Sequence, residues 1–209
     1  MSMDFRTFTS TFNPAFPLSV QQIRLQEENF PVQQLHIRAK KGWLILLTRG
    51  WRIFPQTLSE QGIGAVIANM IYEPSYLSLE RALRFYNLIP EGVYLYTSCT
   101  TKKTQSFDTP AEKFTYRSFS PRYYWGYSLH TVGKYAIIRI ASPEKTLCDY
   151  LYFHPEMMKI EDFEEMRVNI DIWQEIASPA ILQAYAARYP KRLQQQIQTF
   201  LSFIDMNHV

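Results

Sequence analysis

Cysteine is scarce: Cys99 and Cys148 are the only two in 209 residues, too few for a disulfide framework. Both sit among apolar neighbours, where a thiol reads as a small buried hydrophobe. His36, His130, His154 and His208 are scattered and no cysteine lies at ligand spacing from them, which argues against zinc; no metal and no cofactor is expected. Long apolar runs are missing too. The longest, Trp43 to Leu47 and Tyr135 to Ile138, fall far below the roughly 18 residues that cross a bilayer. The opening MSMDFRTFTS carries an early acid and no apolar h-region, so a secretory signal is not expected. No Gly/Ser linker, repeat or low-complexity tract interrupts the chain. These absences point to a cytoplasmic protein without a membrane span. Hydrophobic residues at 46% and aromatics at 15% supply a sizeable core, which argues against disorder. The length suits one large domain, or one small and one medium.

The net charge of +3 is uninformative until it is divided. Residues 1–57 hold seven basic groups and three acids, a surplus of +4, so the remainder carries −1. A basic head on a near-neutral body is the asymmetry of a small module that handles a polyanion, although chance clustering on a solvated face produces the same count.

Within that head the pattern predicts three short helices and two strands. The first runs roughly from Met3 to Phe12, before Asn13-Pro14; the second starts at Ser19 as N-cap; the third starts at Pro31 and ends at Gly42. Projecting the third at 100° per residue puts Val32, Leu35, Ala39 and Trp43 on one face, with His36 at its border. Gln33, Gln34, Ile37, Lys40 and Lys41 take the other face, flanked by Arg38. Amides and amines suit a major groove, where Gln pairs two-point with adenine and Lys or Arg meets guanine or phosphate. Ile37 either covers a thymine methyl or is a stray surface residue. Leu44 to Leu47 and Trp51 to Phe54 then read as strands around Thr48-Arg49-Gly50, and Pro55 closes the unit. Helix, helix and arginine-tipped hairpin is the plan of a winged helix-turn-helix, with Arg49 and Arg52 placed for phosphate contacts.

The pattern changes from Gly64. Ala65 to Tyr72 reads as a short apolar helix ended by Pro74, and Ser78 caps another whose buried stripe is Leu79, Leu83 and Tyr86. Strands are expected at Val93 to Cys99, Phe114 to Phe119, Tyr123 to Trp125 and Lys134 to Ile140. Ser142-Pro143-Glu144 starts a helix, as do Ser178-Pro179 and Pro190 in a helical tail. The expected fold class is α/β (α+β), a winged helix-turn-helix over 1–57 and a larger mixed domain over 62–209.

Four segments, IANMIYEPSYLSLERALRFYNLIPE, YTSCTTKKTQSFDTP, FTYRSFSPRYYWGY and ASPEKTLCDYLYF, together with KKGWL and RGWRIFP in the head, resemble the AbiEi antitoxin family of bacterial type IV toxin–antitoxin and phage-defence systems. The likeness runs from about Leu18 to Phe153. It implies an N-terminal domain that represses its own operon by binding operator repeats. It also implies a C-terminal domain that counteracts a nucleotidyltransferase-type toxin, in this family without a stable toxin complex. Carried over by position, Pro31 to Lys41 is the recognition element and Arg49 the wing tip. Trp51-Arg52 stands where the family more often has Leu-Tyr.

Other segments carry chemical signals of their own. Thr97 to Thr104 follows a strand with hydroxyls and two lysines; Lys102 and Lys103 with Arg117 and Arg122 form a candidate second basic surface, or the segment is a solvated loop. Carboxylates including Glu144 and Asp149, with Lys145 between them, raise a metal-dependent nuclease, against which stand the helical position of Glu144 and the lack of an acid-x-acid strand. Gly62-x-Gly64 is half a dinucleotide fingerprint with no strand before it. The aromatic run Phe119 to Tyr127 reads as core more than as a base-stacking platform. The expectation is a non-enzymatic DNA-binding antitoxin and autorepressor; the alternatives are an antitoxin or adaptor without repression, and the nuclease.

Overall fold

The computed structural model describes residues 3–90, 92, 94–133 and 136–207. Over them the chain is a mixed α/β protein with two sheets. Val93, Lys134, Tyr135 and His208 lie outside the described residues.

The head opens with α1 (Phe5–Thr11), whose cap Asp4 accepts from Thr7 N at 2.9 Å. Next comes β1 (Leu18–Ser19), a strand too short for a period-2 pattern to announce. Ser19 doubles as cap of α2 (Val20–Gln26): its hydroxyl accepts from Gln22 N at 3.0 Å and its own N–H donates to Gln22 Oε1 at 2.9 Å. That reciprocal pair is a capping box. α3 (Gln33–Lys40) ends before Gly42, which adopts φ +72°, a left-handed conformation that glycine enters without a Cβ clash. The hairpin of β2 (Ile45–Thr48) and β3 (Trp51–Ile53) then joins β1 in an antiparallel sheet ordered β1-β3-β2.

This small sheet has two apolar faces. Leu18, Leu44 and Phe54 pack with Phe8, Ile23, Phe30 and Leu35 into the core of the head. Leu47 and Ile53, with Ile45 and Trp51 partly buried beside them, belong to a second core shared with Ala65, Val66 and Ile67 of α4 (Ile63–Ile71). Packing therefore crosses the 57–62 boundary that the sequence suggested, although the chain itself passes it in a short 3-10 turn, Pro55–Ser59.

The body is built on β4 (Ser75–Leu77), β5 (Leu95–Thr100), β6 (Gln105–Asp108), β7 (Lys113–Ser118), β8 (Tyr127–Val132) and β9 (Ala136–Ala141). They form one sheet ordered β6-β7-β5-β4-β9-β8, parallel between β5 and β7 and between β4 and β9. Alternation sends Leu77, Tyr96, Phe114, Ile138 and Ile140 towards α4, and Tyr76, Cys99 and Ala141 towards α6 (Pro143–Phe153). α4 lies tight on its face: a Cβ on Gly64 would sit 2.3 Å from the Tyr96 ring. α5 (Leu79–Phe85) follows β4 directly, and α7 (Ile160–Glu165), α8 (Ile170–Ile176), α9 (Pro179–Ala186) and α10 (Lys191–Met206) complete the tail. Their core gathers Phe163, Trp173, Leu182, Leu193 and Phe200.

Three body strands, β4, β6 and β8, went unanticipated, and one expected strand is absent. Tyr123 to Trp125 is not a strand; Pro121–Tyr123 is a 3-10 turn, as its proline permits, and it drops Tyr123 into the core. The stretch after Thr97 is likewise not a loop at first. Thr97, Ser98 and Thr100 are buried in β5, where Thr97 Oγ1 donates to the Ser78 carbonyl at 2.8 Å and Thr100 Oγ1 to that of Pro74 at 2.6 Å. No helix among the described residues is long and apolar enough to cross a membrane.

Candidate nucleic-acid interface

α3 buries Leu35 completely and turns a polar stripe to solvent. Gln33, His36, Ile37 and Lys40 are all exposed and fall within about 100° of arc at helical spacing, with Lys41 alongside. Ile37 is 52% exposed, so it sits in the stripe and not in the core. Lys41 Nζ rests 4.7 Å from the Trp43 ring centroid, a cation–π contact that holds the ammonium at the end of the helix. At the far end of the β2–β3 hairpin Arg49 is exposed, on a turn whose Gly50 takes φ +89°. The projection places His36 at the border of the inward face; the structure puts it in the outward stripe, because the helix rolls inward on its Arg38 side.

Arg38 and Arg52 do not belong to that surface. Arg38 is 4% exposed; its guanidinium lies 4.1 Å from the Phe8 centroid and 5.4 Å from that of Phe30, and Nη2 donates to the Met3 carbonyl. Flanking the polar face in projection, it uses its long stem to reach back over aromatic rings. Arg52, 5% exposed, stands in the central strand β3 opposite Leu18 of β1 and Leu46 of β2, and it is buried there. Burial lowers the pKa of both guanidiniums. Gln34 is half-buried, drawn partly inward.

The four residues of the second basic surface are not gathered onto one face. Lys102 Nζ sits 5.2 Å from the ring of Tyr72, beyond the end of α4, whereas Arg117 stacks at 4.5 Å on Phe153 of α6, in the opposite layer. Lys103 is exposed, and Arg122 lies 4.5 Å from its neighbour Tyr123.

The SPEK…D motif resolves into internal architecture. Ser142 Oγ accepts from Lys145 N at 3.2 Å and starts α6. Lys145 and Asp149 are wholly buried and form an ion pair one turn apart. Asp149 Oδ2 accepts from Tyr76 OH at 2.9 Å and Ser78 Oγ at 2.8 Å, and Lys145 Nζ donates to Tyr189 OH at 2.7 Å. Phe119 and Trp125 close over the ammonium at 4.8 and 5.0 Å. Glu144 Oε1 accepts from Ser178 N at 2.9 Å, pinning the start of α9. Burial drives up the pKa of Asp149 and of both cysteine thiols, Cys99 and Cys148, which are free and enclosed. Carboxylates so occupied have no open side to offer a metal and a substrate together.

No protein-family model matches the chain, and no curated protein matches it.

Proposed function

We propose that the chain is a sequence-specific DNA-binding regulator of the winged-helix kind. The head runs helix, strand, helix, helix, strand, strand, the order of such a module. One observation carries the reading: α3 buries its apolar side and leaves Gln33, His36, Ile37 and Lys40 in solvent, with Lys41 beside them and Arg49 on the hairpin tip. The stripe enters the major groove and Arg49 meets backbone phosphate. From the motif resemblance we take the rest: the protein binds operator repeats upstream of its own operon in the cytoplasm. It thereby represses that operon, and it acts as antitoxin to a nucleotidyltransferase-like toxin without itself catalysing a reaction.

The deciding experiment is a salt titration of binding to its own upstream DNA, with scrambled DNA as control. Tight, sequence-dependent binding that weakens steeply with salt supports the proposal; equal weak binding to both removes it. A second reading, an antitoxin or adaptor that does not repress, draws on the withdrawal of Arg38 and Arg52, which leaves the head fewer surface cations. Rescue from the toxin by a protein indifferent to its promoter selects it.

A further inference from the structure

The body sheet ends in β6 on one side and β8 on the other, and the two edges are finished differently. β6 is four residues long, pairs Asp108 with Lys113 at 3.6 Å and runs on into Pro110. Short length, charge and proline are the usual means of keeping an edge from pairing with another chain. β8 has none of them. It is six residues long, and the segment 126–133, GYSLHTVG, holds no proline and no aspartate, glutamate, lysine or arginine.

The register decides which backbone groups β8 turns outward. Arg139 of β9 lies opposite Leu129. The Asn69 side chain, on α4, takes both backbone groups of Arg139: its amide donates to the carbonyl at 3.3 Å and its oxygen accepts from the N–H. Arg139 therefore turns both groups away from β8. In an antiparallel ladder, pairs that exchange no bonds alternate with pairs that exchange two, so Leu129 likewise turns its N–H and C=O away, out of the sheet edge. Tyr127 and Thr131, two residues to either side, do the same. A bond from Ser142 N to the Gly126 carbonyl at 2.9 Å keeps this phase beyond the end of the ladder. Tyr127, Leu129 and Thr131 are all exposed. Their side chains share one face with Ile137, which lies opposite Thr131, and Leu129 and Ile137 are 67% and 63% exposed there.

We propose that β8 pairs antiparallel with β8 of a second copy of this chain, about a two-fold axis at Leu129. Leu129 then meets Leu129 of the other copy, and Tyr127 meets Thr131. The outward groups fall symmetrically about Leu129, so three pairs form with two hydrogen bonds each and none of these groups is left over. The side chains agree with the backbone: Leu129 of each copy covers the other, and Tyr127 reaches the Thr131–Ile137 side of its partner. No like charges are brought together, because the strand carries none and Arg139, across from Leu129, is paired with Glu73. Six residues a side, against roughly 20–30 in a standard interface, make this a weak, concentration-dependent dimer. The edge is separate from α3, so pairing and DNA binding can fail independently.

Sedimentation equilibrium of the full chain should show the mass rising from 24.7 kDa towards twice that value as concentration increases. Leu129→Lys sets two ammonium groups face to face, and Leu129→Pro deletes the outward N–H without removing a bond to β9. Each should raise the dissociation constant at least about tenfold, with circular dichroism checking that both variants are folded. The register has its own test. Leu129→Cys would place its Cα about 5.5 Å from its counterpart, within disulfide reach, so oxidised glutathione, which takes up the two electrons, should link the copies. Met206→Cys, at a comparably exposed position on α10, should link at least about tenfold more slowly, and the buried Cys99 and Cys148 do not compete. A chain that stays monomeric up to hundreds of micromolar overturns the proposal and leaves the edge to a strand of another protein. A dimer indifferent to both Leu129 substitutions, or equal linking of the two cysteine variants, overturns it as well.

Discussion

Arg38 and Arg49 belong to one small basic head, yet the first stacks on Phe8 inside it and the second stands at a hairpin tip in solvent. Arg38→Ala removes the ring contact and the bond to the Met3 carbonyl and should cost about 1–3 kcal/mol of stability, read by chemical denaturation. Arg49→Ala should leave stability within about 0.5 kcal/mol while weakening DNA binding. The reverse pattern would return Arg38 to the DNA surface. In the body, Asp149→Ala strands the buried Lys145 ammonium and orphans the hydroxyls of Tyr76 and Ser78; a loss of about 3–5 kcal/mol is expected, and only a small further loss on adding Lys145→Met, because the two groups are in contact. His154 lies 3.8 Å from Glu80 and 3.0 Å from Glu156, and those carboxylates raise its pKa against the effect of burial. A raised histidine pKa adds stability in full below its ordinary value of 6.5 and loses it as pH rises through the raised one. The melting temperature should therefore fall as pH rises past 6.5 and through the raised value, and Glu80→Gln should flatten that fall.

Among the elements, α3 supports the sharpest functional forecast. Lys40→Ala with Lys41→Ala should weaken binding to any DNA and lower the salt slope by about two, whereas Gln33→Ala should relax sequence preference with the slope unchanged. An unaltered slope in the lysine variant would remove α3 from the interface. The helices were readable in advance because their ends carry local chemistry: Ser19, Ser142 and Ser178 each cap a helix through the side chain, and Gly42 closes α3. Ser78 caps only by position, since its hydroxyl is committed to Asp149 across the fold. The missed strands lack such signals. β4 is three residues long and buried on both faces, so it shows no alternation, and β8 exposes apolar Leu129 beside polar Ser128. At the candidate interface the stripe was visible as a projection, but Arg38 and Arg52 were misplaced. A charge predicts solvent only when no ring or strand neighbour offers the stem a place to lie.

For the molecule as a whole, the second core decides how head and body behave together. Leu47 and Ile53 are buried against α4, so Ile53→Ala should cost about 2–5 kcal/mol and lower one shared transition. Calorimetry should show a single unfolding event; two separate events, with only the first moved by the substitution, would mean that the contact holds nothing. The hairpin thus presents Arg49 outward at its tip while its inner face is fastened to the body. A protein that grips a duplex through α3 from such a frame cannot swivel about its linker, and the body must hang over the same side of the double helix at every site. Two copies on neighbouring repeats would then meet or miss according to the rotational phase between them. Inserting about five base pairs, half a turn, turns their bodies to opposite sides of the DNA, and about ten restores them. Promoter architecture, through spacing alone, would set whether these molecules act as a pair.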